Sequence, residues 1–304
     1  MRTAFIQQLI REAETNDRIF LIVGDLGYNV VEPFKQKFPR RFLNAGIAEQ
    51  NMIGVAAGLA KEGYNVYIYS IANFPTLRCL EEIRNDVTYY NGSVKIVAVG
   101  AGFAYGSLGM SHHATEEIGI MRTLPNMVVA SPSDPGEAQA IATFSASYAG
   151  SMYIRLGKAG EKQVFPENNE LLELGFLHCL RESSAPNALL ATGSILYEAV
   201  NEIQSLGVDT AIYSVPFVKP LRAEQFLSLA EKHPNIVVLE EHQKSAGLGS
   251  AVIEQLSDLY AAGKMPRFPK VHRLAVNDEY VHIAGNQQYL RNFTHLTLTK
   301  DLFC

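Results

Sequence analysis

Cysteine is scarce in this sequence: Cys79, Cys179 and Cys304 are its three cysteines, scattered along the chain with no CxxC pair. An odd number at such spacing points to neither a disulfide framework nor a zinc site, and ordinary reduced thiols are expected. Long apolar runs are also missing, since none reaches the roughly 18 residues that a membrane helix requires. The opening stretch MRTAFIQQLIREAETND carries acids and sets Phe5, Leu9 and Ile10 at helical spacing, unlike the unbroken apolar region of a signal peptide. A cytoplasmic protein with no membrane partner is expected. Lysine and arginine, 26 against 31 acids, form no cluster, and the net charge of -5 leaves no footprint for a nucleic-acid backbone. Neither a fixed-period repeat nor a low-complexity segment occurs, so a solenoid is excluded.

What is present is a folded chain of 304 residues, 47% hydrophobic and 19% charged, long enough for two ordinary cores. Short β-rich runs (RIFLIVG, NVYIYS, VKIVAVG, NMVVA, SMYIRLG) alternate with helical patterns over 47–62, 79–90 and 135–149. This rhythm predicts an α/β fold with a parallel sheet. The polar stretch KAGEKQVFPENNELLELG interrupts it, and the rhythm then resumes with NALLATG, a helix over 195–206, DTAIYSV, a helix after Leu221, NIVVLEE, a helix after Gly249, and KVHRLAV. Two three-layer αβα domains are predicted, 1–165 and a smaller 171–304.

Within the first domain, one acid stands out in RFLNAGIAEQNMIGVAAGLA. Glu49 opens a run of small and apolar residues that helix packing would bury, and a buried carboxylate needs a partner or a ligand. Asn44 is placed to cap a helix starting near Gly46, which sets Glu49 in the first turn, where the dipole favours a negative charge. Gly54 and Gly58 share one helical face and suit a close subunit contact. Farther on, Gly102, Gly106, Gly109 and Gly119 surround the pair His112 and His113, and a glycine-rich loop lets backbone approach a ligand closely. The loop fits neither the dinucleotide fingerprint nor the P-loop. Taken alone, Phe74 reads as core, Arg155 as a strand-end ion pair, and the Gly247–Gly249 turn as a tight turn, with phosphate binding the weaker alternative.

Together these segments carry a resemblance. FLNAGIAEQNMIGVAAGLAKEG, YNVYIYSIANFPTLRCLEEIRNDV and AGFAYGSLGMSHHATEEIGIMRTLPNM, in this order, are similar to the pyrimidine-binding domain of the transketolase family, and ALLATGSILYEAV, VKPL and VVLEEHQKSAGLGSAV resemble its C-terminal domain. The resemblance covers nearly the whole chain. It implies that Glu49 is the acid that hydrogen-bonds the aminopyrimidine of thiamine diphosphate and promotes its imino tautomer, and that Phe74 stacks on that ring. It further implies that His112 contacts the donor sugar's hydroxyls and carbonyl. His113, where many relatives have Gln, is a second substrate contact. Asp25 is left two roles, ordering the cofactor pocket or capping local backbone. Arg155 matches an arginine that contacts substrate phosphate in the deoxyxylulose phosphate synthase branch, and Arg78 is another possible anion contact.

The resemblance also has departures. The family holds the diphosphate and its Mg2+ with a GDG sequence and a later pair of Asn. Here the nearest stretch, Val23 to Asn29 (VGDLGYN), lacks the second part, and Glu167–Asn169 (ENN) lies far away. A separate N-terminal subunit is therefore expected to supply the diphosphate and metal site, with no metal ligands on this chain, in a heterotetramer of two such pairs. Ser131-Pro132 replaces the Arg-Pro that grips acceptor phosphate in ordinary transketolase, so the substrate is expected to be a sugar or a sugar phosphate. The expected activity is transfer of a two-carbon ketol unit from a ketose to an aldehyde. The beta chain of a 2-oxo acid dehydrogenase, a deoxyxylulose phosphate synthase-like enzyme and a non-catalytic assembly or regulatory subunit stay open as alternatives.

Overall fold

The computed structural model describes residues 1–165 and 172–304; the ENN stretch at Glu167–Asn169 lies outside the described residues. The amphipathic opening forms α1 (Arg2–Thr15), burying Phe5, Ile6, Leu9 and Ala13. There follow β1 (Ile19–Val23), α2 (Glu32–Lys37), β2 (Phe42–Asn44), α3 (Glu49–Lys61), β3 (Asn65–Ile71) and α4 (Leu80–Glu82), which runs on as a π-type turn to Thr88. After β4 (Val94–Val99) come α5 (Glu117–Thr123), β5 (Met127–Ala130), α6 (Pro135–Ser147) and β6 (Ser151–Leu156). Helix α6 starts as its sequence dictates, with Pro135 in the first turn and the Asp134 carboxylate accepting from Glu137 N at 2.8 Å.

The second half contributes β7 (His178–Arg181), β8 (Asn187–Thr192), α7 (Ile195–Leu206), β9 (Ala211–Ser214), β10 (Phe217–Lys219), α8 (Ala223–Lys232), β11 (Asn235–Gln243), α9 (Leu248–Ala261), β12 (Lys270–Val276) and α10 (Gln287–Phe293). Two sheets result, in the strand orders β10-β5-β6-β4-β3-β1-β2 and β12-β11-β8-β9-β7. All pairings are parallel except at one edge of each sheet, where β10 runs antiparallel to β5 and β7 antiparallel to β9. The expected pair of α/β domains is present. The sequence pattern did not show that β10, from the second half, closes the first sheet.

Apolar packing follows the layers. Helices α1 and α6 cover one face of the first sheet with Phe5, Leu9, Ile141 and Ala142, and α7 and α10 cover the far face of the second with Leu196, Ile203 and Leu290. Between the sheets, Met52 and Ile53 of α3, Ile118 and Met121 of α5, Phe226 of α8 and Val252 of α9 belong to one continuous core. Each such side chain contributes about 1.5–3 kcal/mol on burial, so the two halves are held together by the same kind of contact that holds each one. Among the described residues no helix is long and apolar enough to cross a membrane.

Because β1, β2, β3 and β4 are parallel, they end at one edge of the sheet. Gly24, Ala45, Ala72 and Gly100 follow directly at that edge, where open α/β sheets bind their ligands.

Candidate active site

Glu49 is the first residue of α3 and is 2% exposed. Its Oε2 accepts from Arg78 Nη1 at 2.9 Å. The helix is not capped by Asn44, as the sequence suggested: Ala48 holds the cap position and has no side-chain bond to give. Asn44 instead cross-links the ends of β1 and β2. Its Nδ2 donates to Asp25 Oδ1 at 2.9 Å, and its Oδ1 accepts from Asp25 N at 3.1 Å and Gly46 N at 3.0 Å. Asp25 is exposed, in a left-handed conformation with φ 54°, and beside it a Cβ at Gly24 would stand 3.4 Å from Ser70 Oγ and 3.8 Å from Glu49 Oε1. Ser70 Oγ is buried without a hydrogen-bond partner.

The turn after β3 brings three residues to the same edge. Phe74 lies beneath the Arg78 guanidinium, 5.3 Å from Cζ to ring centroid, and its ring meets the His112 ring edge-on at 5.5 Å. Asn73, which sequence reasoning missed, ties this turn to the histidine loop by donating to His113 O at 2.5 Å; its Oδ1 is buried and unpartnered. His112 is half-buried with Nδ1 3.0 Å from Ser111 Oγ. His113 is 4% exposed, its ring against Phe103 at 5.2 Å, and its Nε2 has no protein partner. Burial pushes the His113 pKa below the ordinary histidine range, opposed by its hydrogen bond to the Gly106 backbone and the charge of Glu241. Asn73, Phe74, Arg78, Met110, His113, Glu116 and, from the second half, Tyr280 line a cavity of about 650 Å³. Thus Glu49, Phe74, Arg78, His112 and His113 converge. No local signal marks Asn73 or Tyr280 for this role.

Arg155 does not join them. It is 2% exposed, with Nε 2.5 Å from Glu117 Oε1 and Nη2 donating to Ala114 O and Glu241 O at 2.7 and 2.9 Å. The structure commits its guanidinium to the junction between the halves rather than to the cavity. The loop glycines likewise serve the junction. A Cβ at Gly102 would overlap Glu241 Oε1, one at Gly106 would overlap Leu290, and one at Gly119 would stand 2.8 Å from Ala246 Cβ. Of the four, Gly109 alone faces open space. The expected close approach is that of the second half of the chain. At the Gly247–Gly249 turn, the first N–H groups of α9, from Leu248 and Gly249, are taken by the Glu240 carboxylate at 2.6 and 2.9 Å, in the position a phosphate would need. Gly54 and Gly58 face open space on α3.

The sheet edge combines a buried acid, an aromatic face and buried, unpartnered polar atoms on Ser70, Asn73 and His113. Such a set fits a flat heteroaromatic ring that carries both donors and acceptors. Residues 1–160 match the model of the transketolase pyrimidine binding domain and residues 180–294 that of the transketolase C-terminal domain. One of the subunits of the apulose-4-phosphate transketolase of Phocaeicola vulgatus is 29% identical over 307 residues, covering 100% of this chain and 95% of its own. A putative transketolase C-terminal section of Methanocaldococcus jannaschii is 33% identical over 285 residues, covering 92% of this chain and 87% of its own. A solved split gene transketolase, an inactive beta4 tetramer, superposes with a TM-score of 0.84 at 34% identity over 97% of this chain and 93% of that one. The chain belongs to the transketolase family, as that family's pyrimidine-binding domain followed by its C-terminal domain.

Proposed function

We propose that this chain is the C-terminal subunit of a thiamine-diphosphate-dependent transketolase that moves a two-carbon ketol unit from a ketose to an aldehyde. It works with a separate N-terminal subunit that holds the diphosphate and Mg2+, in a heterotetramer of two such pairs. The observation that carries the reading is Glu49, 2% exposed at the carboxyl edge of the sheet and, among the described residues, paired only with a half-exposed arginine. Support for the partner comes from relatives of similar length that are named as a transketolase subunit or as split gene, 95% and 93% of which this chain covers.

When bound, thiamine diphosphate supplies a stabilised carbanion, the chemistry needed to break and remake a carbon–carbon bond beside a ketone. Glu49 and Phe74 would hold its pyrimidine end: the carboxyl group shares a proton with a ring nitrogen, and the phenyl face stacks on the ring. Ser70, beside Gly24, offers a hydroxyl at the same edge. His112, its Nδ1 engaged by Ser111, turns Nε2 to a donor hydroxyl, and His113 presents an unpartnered imidazole nitrogen to another sugar oxygen. Asn73 fixes Phe74 and His113 relative to each other. Arg78 is the cation lining the cavity and serves an anionic group on the substrate.

Reconstitution tests the reading. The chain mixed with its N-terminal subunit, thiamine diphosphate and Mg2+ should convert ketose–aldehyde pairs, and Glu49→Gln should cost about 10²–10⁴ in rate, the range of general acid–base catalysis. Full turnover by this chain alone, or by the Glu49→Gln complex, overturns it.

A further inference from the structure

The last buried residues of β11 face different ways. Glu240 binds the start of α9, and His242 Nε2 accepts from Gly119 N at 3.2 Å. Glu241, 3% exposed, points instead at the base of the histidine loop. Its Oε1 accepts from Phe103 N at 2.5 Å and from Gln287 Nε2 at 3.0 Å, while its Oε2 takes Arg291 Nε at 2.6 Å. Its backbone carbonyl accepts from Arg155 Nη2, the same nitrogen that donates to Ala114 O.

Phe103 and Ala114 flank the loop that carries His112 and His113, and Gly102 and Ala114 pinch it shut with paired backbone bonds of 3.0 and 2.9 Å. Glu241 thus grips one side of the neck through its side chain and the other through Arg155. The Phe103 ring, whose backbone Glu241 holds, meets the His113 imidazole edge-on. Helix α10 and the turn before it complete the brace, because Gly285 N donates to Gly106 O at 3.2 Å and Leu290 of α10 packs where a side chain at Gly106 would lie. A buried carboxylate and guanidinium are costly relative to apolar packing of the same shape. Apolar packing alone would suffice to dock α10; what the polar cluster adds is a fixed direction for each bond.

We propose that Glu241 is a positioning residue for the sugar: from the C-terminal domain, through Phe103 and Arg155, it holds His112 and His113 in the geometry that binds the donor. This rests on the reading of the two histidines as donor contacts. It gives the C-terminal domain a direct part in substrate recognition and separates that part from cofactor binding, which depends on Glu49 and Phe74.

The test uses the complex reconstituted with the N-terminal subunit. Glu241→Gln keeps the shape, but sets an amide N–H against Arg291 or Phe103 N. It should lower donor kcat/KM by about tenfold or more, within the roughly 10²-fold that a displacement of about 1 Å costs. Most of the loss should fall on KM, while the thiamine diphosphate Kd from calorimetry stays unchanged. Gln287→Leu, at a half-buried site, should move donor KM in the same direction by less, and decides the matter if Glu241→Gln does not assemble. Unchanged donor KM in an assembled variant overturns the proposal, as does an equal loss of cofactor affinity, which marks a general brace. His112→Ala and His113→Ala run in parallel: if these leave donor use intact, the reading of the histidines has failed. If they impair it while the Glu241 and Gln287 variants leave donor KM unchanged, only the inference has failed.

Discussion

Arg78 and Glu49 form an ion pair of 2.9 Å between unequally covered partners, the arginine side chain 50% exposed and the glutamate 2%. The arginine also lies over Phe74, so it holds the two contacts, to a buried acid and an aromatic face, that the proposed function gives to the pyrimidine ring. Arg78→Met should then destabilise the cofactor-free chain by about 1–3 kcal/mol, since a buried acceptor loses its partner. Saturating thiamine diphosphate and Mg2+ in the complex should restore most of that loss. Thermal melts with and without cofactor read the difference, and an equal loss in both states shows that the arginine keeps its place when the ring binds.

How much of this was legible in the sequence depends on the range of the contacts. Glu49, Phe74 and His112 lie in stretches whose order alone resembles a known site, and the helix 195–206 follows directly from its apolar period. Strands β2, β7 and β10 escaped notice because each is short and at a sheet edge, where alternation has no length to show itself. Asn44 looked like a helix cap because local spacing could not reveal Asp25 on the neighbouring strand. Arg155 looked available because Glu117 is 38 positions away in sequence, and Glu241 was silent because its partner Phe103 is 138 away.

The unpartnered Nε2 of His113 yields a second prediction. In the proposed reading this buried nitrogen, unprotonated in the neutral ring, accepts from a donor hydroxyl. Burial holds the ring neutral down to a pH below the ordinary 6.5, and the charged or titratable groups facing it are Glu241, which raises its pKa, and His112, which lowers it. Protonation removes the acceptor, so donor KM should rise as pH falls, with its midpoint below 6.5. His113→Gln keeps a neutral acceptor and should flatten this acid limb while retaining donor use. His113→Ala should lose up to about tenfold in donor affinity, the worth of one hydrogen bond. A Gln variant with the same acid limb as wild type assigns the limb elsewhere.

Glu240 makes folding itself depend on pH. Burial lifts its pKa from 4.5 to about 7, against the two N–H bonds from Leu248 and Gly249 that favour the carboxylate. A raised folded-state value means the fold binds the proton more tightly than the unfolded chain does. The stabilisation is therefore full below 4.5 and disappears as pH climbs through 7. The gap corresponds to about 3 kcal/mol. In denaturant titrations from pH 4 to 8, wild type should lose stability relative to Glu240→Gln, which has no proton to release. Parallel curves for the two proteins refute the assignment.

Gly102 and Gly109 separate backbone strain from crowding in one loop. Both have positive φ, +58° and +81°, so an alanine at Gly102 meets the cost of a left-handed residue, about 1–2 kcal/mol, and one at Gly109, whose ψ of −173° puts it in a region essentially only glycine adopts, meets about 1–3 kcal/mol. Gly109 has no atom within 4 Å of its missing Cβ, and that cost should be its whole effect. At Gly102 the new methyl would collide with Glu241, whose Oε1 holds Phe103 N, so the carboxylate must move or the loop neck must open. Gly102→Ala should consequently destabilise the chain in chemical denaturation by more than the cost of a left-handed residue alone. It should also raise donor KM in the reconstituted complex, which the Gly109 variant reaches only through strain at the loop tip. An unchanged donor KM in Gly102→Ala means that the contact between Gly102 and Glu241 carries no structural information to the histidines.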